Sequence, residues 1–321
     1  MSGRRAPAAR QRGVALLTAV VLVALATVVA TAIAFDTTLA ARRGGGAAAF
    51  EQAGQIAGGA EALAAVAIAE YRKQQNAPIH PGQAWAQPIG PVEVVPGAVL
   101  EAKLVDLQGR FNLNNLTTTE GTENEAAVEV FRRLLENVGV EPDWAIAMVD
   151  WIDDDIAMSP GGAEDSVYSS ETPGYRTPNR PITNASEMLA LKGFGMERWV
   201  KVAPFVTALP RGVGVNLCTA SAALLDAMSN QQQWTLSPDA LQRARAGKCF
   251  PDAQTFNASV SSPADLAKLN ASMVIGETSN WFQVRTLATI GTSDFALYSL
   301  LHYEQGAGGG RVRVLARTFT E

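Results

Sequence analysis

Hydrophobic and polar positions fall into three regimes along the chain. Val14–Ala34 is a run of 21 residues without a charge, long enough to cross the hydrocarbon core of a bilayer as one helix. From Phe35 to about Asn76 there is no proline, and from Ala47 the chain is rich in Ala, Glu and Gln, good helix formers. Ala53, Ile56, Ala57, Ala60, Leu63, Ala64, Ala67 and Ile68 recur at helical spacing. That stripe predicts a helix packed on a sheet. Gly44-Gly45-Gly46 interrupts it at about 1 kcal/mol per Gly relative to Ala, which predicts a kink or break. Pro78 and Pro81 end the segment.

The second regime is alternating. Residues 91–112, PVEVVPGAVLEAKLVDLQGRFN, predict one or two strands with a turn at Gln108-Gly109. The stretches WFQVRTLATI (281–290), FALYSLLHYE (295–304) and RVRVLARTF (311–319) predict three consecutive antiparallel strands. In the last, strict alternation puts Arg311, Arg313 and Arg317 on one face and Val312, Val314 and Ala316 on the other.

Between these strands, residues 113–280 read almost wholly as helix. The amphipathic AAVEVFRRLLENVG (126–139), PDWAIAMVDWIDD (142–154) and NASEMLALKG (184–193) come first, and shorter helices follow. FNLNNLTT (111–118) and VNLCTASA (215–222) form a weak repeat, an Asn-Leu step ahead of a helix.

The net charge is −5 over 321 residues, which argues against a general nucleic-acid binder. Its distribution says more. Arg4, Arg5, Arg10 and Arg12 are the only charges before Val14, so the positive-inside rule places the N-terminus in the cytoplasm and the rest across the membrane. Arg42 and Arg43 lie on the far side. Both cysteines, Cys218 and Cys249, are in the exported part. An oxidising compartment favours one disulfide between them over two buried free thiols.

Three readings of the N-terminus are open. A secretory signal peptide fits the Ala32-Ile33-Ala34 step, but the apolar run exceeds the roughly 7–15 residues usual there. A plain signal anchor fits the hydropathy. The junction Arg-Gln-Arg-Gly-Val-Ala-Leu-Leu-Thr (residues 10–18) resembles a type IV prepilin leader. That resemblance implies cleavage by a prepilin peptidase between Gly13 and Val14, N-methylation of Val14, and a mature charge of −9 once the four arginines are lost. The hydrophobic stretch then stays as the first half of a long helix.

The leader, the large helical insert and the stretch DWIDDDIAMSPGGAEDSVY (150–168) together resemble the minor pseudopilin K family of type II secretion systems. VNLCTA (215–220) adds to the likeness. The family implies an α+β, pilin-like head on a long N-terminal helix, with an inserted all-α domain that is SAM-like or helix-hairpin-helix-like. The corresponding parts are a leader at 1–13, a transmembrane part at 14–34 and a periplasmic half-helix at 35–77. The head is 78–112 with 281–321, and the insert is 113–280.

In such filaments the fifth mature residue is usually Glu, which pairs in the apolar filament core with a neighbour's N-terminal amine. An unpaired charge there is costly. Thr18 holds that position and cannot pair with a neighbour's amine, so the resemblance implies a filament end; the plain alternative is that Thr18 marks an anchor that is not a pilin's. The resemblance implies a tip position with the minor pseudopilins I and J, in the inner membrane and periplasm. A signal-anchored periplasmic binding module is the alternative reading.

Six carboxylates, Asp150, Asp153, Asp154, Asp155, Glu164 and Asp165, fall within sixteen residues. Calcium takes about six to eight oxygens from a flexible loop; the spacing is not that of an EF-hand. The resemblance points to Asp153, Asp155, Glu164 and Asp165 as calcium ligands, with Glu187 a distant contributor and Asp150 left open. A solvated acidic loop is the plain alternative. Lys192-Gly193-Phe194-Gly195 resembles a helix-hairpin-helix turn, which can bind a DNA backbone. The insert has 12 Lys plus Arg against 21 Asp plus Glu, a net −9 that argues against phosphate contact. The two histidines, His80 and His302, lie far apart in sequence, and no nucleophile elbow, zinc pair or Walker loop occurs. No residue set asks for catalysis.

Overall fold

The computed structural model describes residues 11–73, 77–306 and 310–319; Arg4, Arg5 and Arg10 of the basic leader lie outside them. One helix, α1 (Gln11–Arg72), runs 62 residues, about 93 Å at 1.5 Å per residue. The break expected at Gly44–Gly46 is absent. A Cβ at any of these glycines would meet no atom within 4 Å, so no packing stress acts there. The apolar segment before and the packed segment after carry the helix through, because propagation adds a hydrogen bond per residue while a Gly only weakens it.

Only the last third of α1 is covered. Ala53, Ala57, Ala60, Glu61, Ile68 and Arg72 are buried, and the small residues among them let the helix lie close on a five-stranded antiparallel sheet. Its strands are β1 (Ile89–Val95), β2 (Ala98–Asp106), β7 (Trp281–Ile290), β8 (Ser293–Glu304) and β9 (Arg311–Thr318), adjacent in that order. Leu104, Phe282, Val284, Leu301 and Tyr303 of the sheet pack with Ile68 of the helix and with Ile79. The tight turn between β1 and β2 falls at Pro96-Gly97, where Gly97 has φ +80°. Gln108-Gly109, expected to turn the chain, sits in a single 3-10 turn, Leu107–Gly109.

The three arginines of β9 do not share a face. Leu301 pairs with Val314 but Leu300 with Ala316, so Leu315 is an extra residue in the strand. A bulge of this kind reverses the alternation beyond it. Arg311 and Arg313 bond Glu304 on the outer face. Arg317 is brought to the helix side, where its guanidinium donates to both Glu61 carboxylate oxygens at 2.7 and 2.9 Å.

The chain leaves the sheet after Asp106 and returns at Trp281. The intervening helices are α2 (Glu125–Asn137), α3 (Trp144–Ile152), α4 (Asp165–Tyr168), α5 (Gly195–Val202), α6 (Ala222–Ser229), α7 (Pro238–Arg245), α8 (Ala253–Ser259) and α9 (Pro263–Ser272). The region is less helical than its sequence suggests. NASEMLALKG forms a 3-10 segment, Ala185–Ala190, and the proline- and glycine-dense stretches on either side of α4 are loops. Two short parallel pairs tie the region together. Phe111 of β3 (Phe111–Asn112) pairs with Val206 of β4 (Val206–Thr207), and Val215 of β5 (Val215–Asn216) with Ile275 of β6 (Ile275–Gly276). Each pair opens with one of the two Asn-Leu steps noted in the sequence.

A single apolar core fills the inserted region, with Phe111 stacked on Phe131 at 5.1 Å. The joint to the sheet is polar. Asp106 is buried and its carboxylate accepts from Gln108 N, Asn216 Nδ2, Thr219 Oγ1 and Ser279 Oγ. Burial pushes this carboxyl up against those four bonds. Cys218 and Cys249 form a disulfide that ties the start of α6 to the segment after α7.

Candidate metal centre

Helix α3 is buried over most of its length, Ala145 and Ala147–Ile152 included, so Asp150 is carried into the interior by its apolar neighbours. The helix stops at Asp153, whose backbone is extended. The loop then folds back: Ser159 N donates to Asp150 Oδ2 at 3.1 Å and Gly162 N to Ser159 O at 2.9 Å. A Cβ on Gly162 would lie 1.9 Å from Asp150 Oδ2, so only glycine lets the loop close on this carboxylate. Glu164 enters just before α4.

One carboxylate oxygen each from Asp153, Asp155 and Glu164 lie within 4.8 Å of one another. Asp150, Asp153 and Glu164 are 0%, 7% and 3% exposed, and Asp150 Oδ1, Asp153 Oδ1 and Glu164 Oε1 have no hydrogen-bond partner. Unpartnered buried carboxylate oxygens are costly. Burial pushes Asp153 up to about 7, and the charges of Asp155, Asp150 and Glu164 add to the effect. Asp150 is raised by burial, against hydrogen bonds from Ser159. Glu164 is raised by burial, against its bond from Thr177.

The nearby cations look elsewhere. Arg211 pairs with Asp154 at 3.0 Å and Arg176 with Asp165 at 3.7 Å. All the convergent donors are oxygens, a set that suits a hard divalent cation such as calcium and not zinc or copper. The residues present therefore fit that ion.

Of the four residues singled out by resemblance, Asp153, Asp155 and Glu164 come together. Asp165 does not join them; it accepts from Thr177 N and Oγ1 at 3.0 Å. Glu187 caps the 3-10 segment, accepting from Thr183 N and Asn184 N. Asp150, left open by the sequence, is buried near the group, where its charge helps raise Asp153 and Glu164. Thr177 and Asn179 had no signal in the sequence: Thr177 Oγ1 donates to Glu164 Oε2 at 2.9 Å, and Asn179 Nδ2 donates to Asp155 O.

At the other end of the molecule, α1 passes through Gly13 and Val14 without interruption. Thr18 donates its hydroxyl to the carbonyls of Val14 and Ala15 at 3.1 and 3.0 Å, so its side chain is spent on its own helix. The whole apolar window of α1 is uncovered, and the helix is long and apolar enough to cross a membrane. In the glycine hairpin, Arg198 is bound to both Glu141 oxygens at 2.7 and 2.8 Å.

This combination of helix, sheet and inserted region has relatives. A sequence profile described as Type II secretion system (T2SS), protein K matches residues 109–211. Type II secretion system protein K of Pectobacterium carotovorum subsp. carotovorum is 31% identical, over 97% of both chains. The chain belongs to the type II secretion system protein K family. The Pseudomonas aeruginosa protein of the same name is 31% identical over 96% of this chain and 92% of its own. Among solved structures, a chain of the GspK-GspI-GspJ complex from the enterotoxigenic Escherichia coli type 2 secretion system superposes with a TM-score of 0.69. It is 26% identical and covers 85% of this chain and 97% of its own. Family membership thus applies to the whole architecture, the insert and its acidic loop included.

Proposed function

We propose that this protein K family member is a minor pseudopilin that caps the tip of a periplasmic pseudopilus together with the minor pseudopilins I and J. The observation that carries the reading is full-length similarity to protein K, joined to the structural likeness to a chain of a K-I-J complex. Cleavage by a prepilin peptidase between Gly13 and Val14 makes Val14 the mature N-terminus, and Val14–Ala34 anchors the chain in the inner membrane with its head in the periplasm. Thr18, bonded to its own helix, offers no carboxylate to a neighbour's amine, in keeping with a filament end. The insert is read as SAM-like. Gly193 and Gly195, at φ +81° and +75°, supply the tight hairpin such a domain uses.

Calcium is the structural cofactor in this reading, held by Asp150, Asp153, Asp155 and Glu164. It would supply the positive charge that the three unpartnered buried oxygens lack. The test is mass spectrometry of the full chain co-expressed with a prepilin peptidase and with pseudopilins I and J. A chain beginning at N-methylated Val14 that co-purifies with both partners is expected. A start at Phe35, or a chain that purifies alone, sinks the reading. Calorimetric titration of the same material with calcium tests the cofactor.

A further inference from the structure

Residues 173–181, Pro-Gly-Tyr-Arg-Thr-Pro-Asn-Arg-Pro, form a strap over the acidic loop. Both ends are tied to the body of the insert. Tyr175 donates from its hydroxyl to Ala190 O at 2.7 Å, and Ile182 N donates to Asn114 Oδ1 at 2.9 Å just past the second end. The middle is different. Its side-chain and amide bonds run from Thr177 to Glu164 and Asp165 and from Asn179 to the Asp155 carbonyl. Thr177 has one hydroxyl proton for two carboxylates, at 2.9 and 3.0 Å, and can donate to only one at a time.

Six buried side-chain oxygens among the described residues lack a hydrogen-bond partner, and five belong to residues 150–179: Asp150, Asp153, Glu164, Tyr168 and Asn179. Asn179 stands out because it is neutral and comes from the strap. Its amide nitrogen is committed to Asp155 O, which fixes Oδ1 as the acceptor that has no donor. Its backbone is left-handed, at φ +44°, a conformation Asn tolerates better than most residues but one that still needs holding in place.

We propose that the strap is a cation-operated latch: a divalent cation in the acidic loop takes Asn179 Oδ1 as a ligand and so fixes residues 177–179 over the site. The inference rests on the calcium reading above. With the cation bound, the carboxylates stop repelling one another and the strap gains a direct metal bond. Without it, Thr177 and Asn179 hold on to a loop whose like charges push it apart, while the tied ends of the strap stay put.

Limited trypsinolysis of the full chain in detergent micelles, with calcium or with a chelator, reads the latch directly. The Arg176–Thr177 bond lies in the middle of the strap, and the Arg176 side chain is 82% exposed; Arg180 precedes Pro181 and resists trypsin. The Lys248–Cys249 bond serves as internal reference. Calcium at 100 times its dissociation constant is expected to slow Arg176–Thr177 cleavage about 100-fold relative to the reference. In Asn179→Ala, calcium still binds, more weakly, and the protection is lost at matched saturation. Calcium binding measured by calorimetry with no change in cleavage overturns the latch and leaves the calcium reading standing. Equal protection of wild type and Asn179→Ala at matched saturation removes Asn179 from the ligand set and overturns the proposal. Absence of any calcium binding overturns both.

Discussion

Replacing Arg317 by Ala isolates what the bulge in β9 accomplishes. The Glu61 side chain is 8% exposed and receives two hydrogen bonds from Arg317, whose own side chain is 57% exposed. Breaking a fully buried pair from one side costs about 3–5 kcal/mol. Half-solvated Arg317 screens the pair, and Ser299 still donates to Glu61, so a loss of about 1.5–2.5 kcal/mol is expected. For a chain of this size that corresponds to a fall in Tm of about 2–5 °C.

The pH dependence carries the sharper test. Burial alone would raise the Glu61 carboxyl. The bonds from Arg317 and Ser299 and the Arg317 charge outweigh it and hold the group below its usual value. A depressed carboxyl contributes stability above its unfolded pKa, about 4.3, and loses it as pH falls through the folded value. In Arg317→Ala burial stands nearly unopposed, the folded pKa lies above the unfolded one, and the variant recovers stability as pH drops from 7 toward 4.5. Thermal unfolding followed by circular dichroism should therefore show the Tm gap narrowing over that range. A constant gap, or no gap at pH 7, refutes the argument.

Gly162→Ala drives a methyl to 1.9 Å from Asp150 Oδ2 and should weaken calcium binding at least tenfold by calorimetry. Cys218→Ser with Cys249→Ser opens a loop of about 32 residues and should cost roughly 3–4 kcal/mol in urea unfolding; the same change in a chain kept reduced should be near neutral. Thr18→Glu restores a carboxylate at the fifth mature position, and cross-linking should then find the subunit within filaments as well as at an end. Asp106→Ala leaves four donors facing a buried gap at the head–insert joint. About 2–4 kcal/mol should be lost, seen as an earlier unfolding transition.

The strands were legible where one face is buried and the other wet. Residues 281–289 alternate half-buried and buried without a slip, and the sequence alternates with them. Alternation fails as a guide where the backbone adds a residue: nothing in RVRVLARTF marks Leu315 as a bulge, and so Arg317 was placed on the wrong face. Gly44–Gly46 misled for the opposite reason, since local propensity was outweighed by helix on both sides. At the acidic loop, the density of Asp and Glu suited a cation and a solvated loop equally, and it could not tell Asp165, turned to Thr177 and Arg176, from Asp150, carried into the interior by a buried helix. Thr177 and Asn179 were invisible because their role depends on a chain crossing more than a dozen residues downstream, set by packing and not by pattern.

The uncovered run at the start of α1 sets the terms on which this subunit can travel. Eleven large aliphatic side chains between Val14 and Ile33 stand at 47–70% exposure, and each is worth about 1.5–3 kcal/mol when taken out of water. Moving the helix from an apolar surrounding into water would thus cost on the order of tens of kcal/mol, far beyond thermal reach. Movement outward requires a continuous greasy track, one apolar surface receiving the helix as another lets it go, so the subunit's mobility belongs to its neighbours.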